Sequence, residues 1–222
     1  MIFQFIVRKP AVLALLLLTA GCATTRGVVN LEMGDEETQP QTSIAADATP
    51  VYLRDVVDAR RFELKPAQPS TPSLKDGAID DKAITERAIA RKRNTFGQAM
   101  GDILLPEDQT VMNVVRSNVQ RVLEESGYRV VDAAQPDTPT VDIEIRKFWS
   151  WATPGFWAIK IEFESELALR GLPDQPADEA LIANGYVHQR HQTLTGGAWI
   201  QTMQAGMADM RAKLGAELRD SD

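Results

Sequence analysis

His188 and His191 are the only histidines in 222 residues. Three apart in a stretch that reads as a strand, they point to opposite faces, so they cannot close on one metal ion as helix-borne pairs do. Ser117, Ser126, Ser150 and Ser165 have no histidine at a spacing that would activate a hydroxyl, and the chain holds no HExxH, Gly-rich phosphate loop or G-x-S-x-G turn. Glu162, Glu164 and Glu166 repeat at every second position, the pattern of a solvated strand face. The sequence reads as non-enzymatic, with no metal site and no cofactor. The aromatic residues Phe148, Trp149, Trp151, Phe156 and Trp157 gather three of the four tryptophans around one turn. Exposed, they would form a binding platform for glycan, lipid or an apolar partner. Their parity favours another reading: Trp149, Trp151 and Trp157 extend a core under helices, leaving Phe148 and Phe156 on the wet face. The basic run Arg87, Arg91, Lys92, Arg93 could meet anionic head groups or a negative partner, or simply be a solvated face. Met203, Met207 and Met210 at helical spacing could make an adaptable groove, or core.

The one remaining reactive group is a thiol. Cys22 is the only cysteine, so no intramolecular disulfide can form. Ahead of it, Arg8 and Lys9 flank an apolar run, Ala11 to Ala20, that ends in Gly21. A positive flank, a short apolar stretch and small residues at the cut define a secretory signal. The run is shorter than the roughly 20 residues a span requires. The competing reading, an uncleaved anchor starting at Ile2, has to cross Arg8, Lys9 and Pro10. Leu18-Thr19-Ala20-Gly21-Cys22 resembles the lipobox of bacterial lipoproteins, with the leucine one place early. That resemblance implies cleavage before Cys22 and a diacylglycerol on its sulfur, with a palmitate-type chain on the new amino terminus. Each buried methylene contributes about 0.8 kcal/mol, so two or more chains hold stably. Ala23, rather than Asp, after the cysteine implies sorting to the outer membrane. Removing residues 1–21 leaves 222 − 21 = 201 residues and takes away two cations and no acids, moving the net charge from −7 to −9. Such an acidic chain is a poor partner for nucleic acid, whose binding rests on Lys and Arg at phosphates.

The elements that must position these residues follow from periodicity. Residues 22–49 lack it and read as a flexible tether, whose 27 or so residues would average on the order of 30 Å end to end. Residues 50–222 read as one domain. Val51 to Arg60 suggests a strand and residues 65–82 a proline-rich loop; residues 84–100 read either as a short helix over Ile84 to Arg93 or as a hairpin turning at Asn94, with extended structure after Ile89 favoured. Val111, Val114, Val115, Val119, Val122 and Leu123 make one apolar stripe on a helix over 110–126, stopped by Gly127. Tyr128 to Val131 begins a strand. Residues 141–169 alternate cleanly and predict an antiparallel hairpin, with Trp151 opposite Trp157 and Ile145 opposite Phe163 across a loop at 153–155. Leu181 to His191 reads as a strand and Trp199 to Leu218 as an amphipathic helix. The order predicts an α+β fold, a two-layer α/β sandwich of a mainly antiparallel sheet with two helices on one face.

The lipobox, the proline-rich strand region and Arg91-Lys92-Arg93-Asn94-Thr95-Phe96-Gly97 together resemble the YajG-like outer-membrane lipoproteins and, more loosely, transport-auxiliary envelope lipoproteins. A helix ending Leu123-Glu124-Glu125-Ser126-Gly127-Tyr128, the hairpin and the closing helix complete the likeness, over residues 11–219. It implies an envelope location and an α/β domain, and no reaction; only the lipidated Cys22 carries over. The expectation is a lipid-anchored module at the outer membrane, facing the periplasm and binding an envelope protein or a cell-wall or lipid ligand. The alternative is a carrier of a small amphiphile such as a phospholipid.

Overall fold

The computed structural model of the protein describes residues 26–31, 48–94, 96–173, 175–176 and 178–220. The alternating segments form β1 (Gly27–Val28), β2 (Thr49–Asp58), β3 (Ala88–Arg93), β4 (Ala99–Leu104), β5 (Tyr128–Val131), β6 (Thr140–Pro154), β7 (Ile159–Arg170) and β8 (Leu181–His191). The long helices are α1 (Val111–Glu125) and α2 (Gly196–Asp220), and two short helical turns, Lys75–Asp80 and Lys82–Thr85, precede β3.

All eight strands join one mixed α/β sheet. The expected mainly antiparallel sheet is corrected: four of the seven pairings, β1–β4, β2–β5, β2–β6 and β3–β6, are parallel. Alternation identifies a strand and its wet face but names no distant neighbour, so only the hairpins were legible. The sheet is built around β6. One edge of that strand pairs along its length with β7, while the other edge is shared, β2 taking Thr140–Ile145 and β3 taking Ser150–Trp151. Arg60 fills the fork between β2 and β3. Its buried guanidinium donates to the carbonyls of Thr85, Ala88 and Phe148 and pairs with Asp58 at 2.7 Å. Backbone acceptors left open where a ladder splits thereby find donors.

Both helices share a core with β2, β6, β7 and β8. α1 begins at Thr110, whose hydroxyl accepts from the Asn113 amide at 3.2 Å, and stops at Gly127 with φ 92. Its whole predicted stripe is buried. α2 lies close on the sheet because Gly206 faces Phe163, where a Cβ would come within 2.1 Å of the ring. Met203, Met207 and Met210 lie in this core.

The β6–β7 register departs from the prediction in an instructive way. The turn has four residues, with Pro154 opposite Ile159, and Arg146 is an extra residue between the pairs Ile145–Leu167 and Lys147–Glu166. A loop of even length needs one bulge if odd residues are to face odd residues at the far end, and Arg146 supplies it. Beyond the bulge the parity of β6 flips. Phe148, expected on the wet face, is buried against Phe163 with ring centroids 5.0 Å apart. Trp149 and Trp151, expected under the helices, are buried on the opposite face in a second core with Leu74, Ala88 and Leu104. Trp151 faces Glu162, not Trp157, and Ser150 rather than Ile145 faces Phe163.

A second correction concerns the expected tether. Within residues 22–49, Gly27 and Val28 pair with Ile103 and Leu104, and Val29 and Leu31 are buried. The apolar residues of Gly27-Val28-Val29-Asn30-Leu31 cover the edge of β4, which removes an open strand edge from solvent. Cys22 and the expected signal peptide, residues 1–21, lie outside the described residues.

Candidate functional site

Three large aromatic side chains stand in solvent: Phe96, Phe156 and Trp157 are 88%, 90% and 83% exposed. Their positions follow from strand register. β3 runs parallel to β6 with Arg91 opposite Trp151, so β3 and β6 finish side by side. The turn after β3 (residues 94 and 96–98) and the turn after β6 (residues 155–158) therefore share one end of the sheet. In the first turn Asn94 Oδ1 accepts from the amides of Phe96 and Gln98, and Gly97 takes the left-handed region at φ 76. In the second, the Gly155 amide donates to Ala158, and the Phe156 and Trp157 rings meet edge-to-face with centroids 4.8 Å apart. Both turns fix their aromatic residues outward, with no core to enter. Of the five residues weighed as an aromatic platform, Phe156 and Trp157 are surface and Phe148, Trp149 and Trp151 are interior, so Trp157 departs from the core position its parity favoured. Phe96 escaped sequence reasoning; the signal was a bulky aromatic inside an Asn–Gly turn.

Cations close the strands at the same end: Lys92 and Arg93 on β3, Lys160 on β7 and Arg190 on β8. Of the basic run, Arg87 donates to the Leu105 carbonyl, Arg91 to Leu74 and Arg93 to Gly97. Burial lowers the Arg91 guanidinium, partly offset by Asp102, and burial and then the Arg91 charge lower Arg93.

The expected solvated strip of glutamates is corrected at Glu162, which is buried beneath this end. Its carboxylate accepts from Tyr186 Oη at 2.8 Å, Trp151 Nε1 at 3.1 Å and Thr153 Oγ1 at 3.1 Å, with Lys160 Nζ at 3.0 Å. Burial alone would push this carboxyl up. The hydrogen bonds of Tyr186, Lys160 and Thr153, with the Lys160 charge, outweigh it and hold the group below the ordinary value. The same bond to Glu162, then burial and the nearby carboxylate charges, push the Tyr186 phenol up. Four partners leave Glu162 ionised and fully engaged, which suits a structural anion and not a proton-transfer group. Glu164 and Glu166 are half-buried and pair with Lys147 at 2.8 and 3.3 Å. These pairs border a cleft of about 520 Å³ on the face away from the helices, floored by Trp149 and walled by Arg61, Arg146 and Glu144.

His191 Nε2 lies 3.0 Å from Thr202 Oγ1 on α2, whereas His188 lies across from Glu162 beside Tyr186. The two histidines thus take opposite faces, as the spacing requires. Among the described residues no group of three or more His, Cys, Asp or Glu is placed to hold a metal ion, and no helix is long and apolar enough to cross a membrane.

No family model matches the chain. No curated protein matches it either. Two solved structures are similar in outline. One, an uncharacterized protein, aligns with 87% of this chain and 99% of its own at 14% identity, with a TM-score of 0.46. The other, a Xanthomonas campestris protein of the DUF330 family model, aligns with 89% and 99% at 12% identity, with a TM-score of 0.44. Likeness at this level assigns neither family nor activity.

Proposed function

We propose that this chain is a lipid-anchored envelope lipoprotein of the YajG-like kind, held at the outer membrane through Cys22 with its domain in the periplasm. There it acts as a non-enzymatic binding or assembly module that recognises an envelope component through exposed surface. The observation that carries this reading is where the apolar surface lies. Phe96, Phe156 and Trp157 project at one end of the sheet, and monomers seldom expose clustered aromatic rings that contact nothing. A carrier of a small amphiphile would need apolar space between sheet and helices. Met203, Met207 and Met210 lie at 0–2% exposure there, packed with Phe163 and Ile161 in one continuous core. The 520 Å³ cleft on the other face is bordered by ion pairs and does not suit an acyl chain.

A photo-crosslinking residue placed at Phe156, compared with one at Val57, tests the reading in cells. Val57 is 54% exposed and pairs with Glu144, ten residues along β6 from Pro154, which puts it roughly 33 Å from the aromatic end. Adducts should form from position 156 and not from position 57. Equal yields at both positions, or none at 156, refute it.

A further inference from the structure

We infer that the end of the sheet bearing Phe96, Phe156 and Trp157 seats directly on the lipid leaflet that holds the Cys22 anchor, its rings lying among the head groups. The inference rests on the anchored-module reading and names the component that this surface meets.

The direction of the first strand carries it. β4 starts at the aromatic end and runs away from it, and β1 is parallel to β4. The chain therefore comes into β1 from the aromatic end. It is fastened there: Arg26 Nε donates to Asp102 Oδ2 at 3.0 Å, the Val29 amide donates to Leu104, and Asp102, wholly buried, also accepts from the Lys75 amide at 2.9 Å. Asp102 is three residues along β4 from Ala99, so Arg26 stands about 10 Å below the turns. Cys22 precedes Arg26 by four residues, which span at most about 14 Å. A lipid on Cys22 can thus reach the level of the turns. It cannot reach the far end of the sheet: Trp151, which pairs with the neighbour of Lys92, lies eleven residues from Thr140 along β6, roughly 36 Å.

The chemistry at that end matches a leaflet. Tryptophan and phenylalanine settle at the boundary between head groups and acyl chains, where a flat apolar ring and, for Trp157, an indole N–H are both accommodated. Lys92, Arg93, Lys160 and Arg190 close the strands beside them, a charge complement to anionic head groups within an acidic chain. Seated so, the domain stands on the end of its strands, and the charged cleft at Lys147 and Trp149 lies back along β6 from the lipid.

Trp157 is itself the probe, because Trp149, Trp151 and Trp199 are buried. The lipidated chain is placed in phosphatidylethanolamine–phosphatidylglycerol vesicles whose acyl chains carry bromine at defined depths. Shallow bromines should quench the emission that Trp157→Phe removes, and aqueous iodide should quench it several-fold less than in the lipid-free Cys22→Ser chain. If the chain carries lipid and floats with the vesicles, yet Trp157 remains as open to iodide as in the soluble form, the seating is refuted and the anchor stands. If Trp157 is shielded from iodide and from bromine alike, a second copy of the chain covers this end and the seating is again refuted. A chain without lipid mass refutes the anchored reading and the seating together.

Discussion

Phe148→Ala and Phe156→Ala remove the same atoms from two even-numbered positions that simple alternation treats alike. The bulge at Arg146 separates them. Phe148 is 1% exposed and packs edge-to-face on Phe163, whereas Phe156 is 90% exposed and touches the Trp157 ring. Truncating a buried phenylalanine costs about 3–5 kcal/mol from lost transfer energy and the cavity left behind. An exposed substitution of this kind stays within about 0.5 kcal/mol. For a chain of this length each kcal/mol moves the melting temperature by about 2–4 °C. Phe148→Ala should therefore melt roughly 6–20 °C lower, and Phe156→Ala within about 2 °C of the parent. Circular dichroism melts of both variants in the lipid-free Cys22→Ser background make the comparison. Equal shifts, or a larger one at Phe156, would sink the bulged register and the second core that depends on it.

Glu162 gives a pH prediction with a definite sign. Its folded value lies below the ordinary 4.5, so the unfolded chain takes up its proton first as pH falls. The contribution to stability is complete above the ordinary value and is lost as pH drops through the folded one. Urea titrations down through the carboxylate range should show the parent losing more stability than Glu162→Gln, which starts less stable near neutrality; parallel curves would exclude the role. Arg26→Ala leaves the buried Asp102 with Arg91 and the Lys75 amide, at a cost of about 1–3 kcal/mol. Hydrogen exchange at the Val29 amide should quicken in that variant, and unchanged exchange would mean that Arg26 does not hold β1 in place.

The elements that the sequence displayed most clearly were those whose order is set locally. The valine stripe of α1, its Thr110 cap and its Gly127 stop all lie within one short window. The same holds for β8 and for both arms of the β6–β7 hairpin. Pairing across long separations was not legible, because Val51 and Leu53 alternate in the same way whether β6 lies parallel or antiparallel beside them. The bulge was hidden for a related reason: Arg146 reads as one more wet residue until the turn length is known. That one extra residue exchanged the fates of Phe148 and the two tryptophans after it. Gly27 to Leu31 is too short to show periodicity, so its docking on β4 was concealed in an otherwise polar stretch. The aromatic end was half visible, as Phe156 and Trp157, and needed the β3–β6 register to bring Phe96 beside them.

The most direct test of the anchored module is intact mass and membrane fractionation of the wild-type chain beside Cys22→Ser. Wild type should lose residues 1–21, carry the mass of its acyl chains and fractionate with outer membrane, and the substitution should abolish the acyl mass and the fractionation. If both chains remain in the membrane at full-length mass, the amino-terminal segment is an uncleaved anchor and the account is wrong.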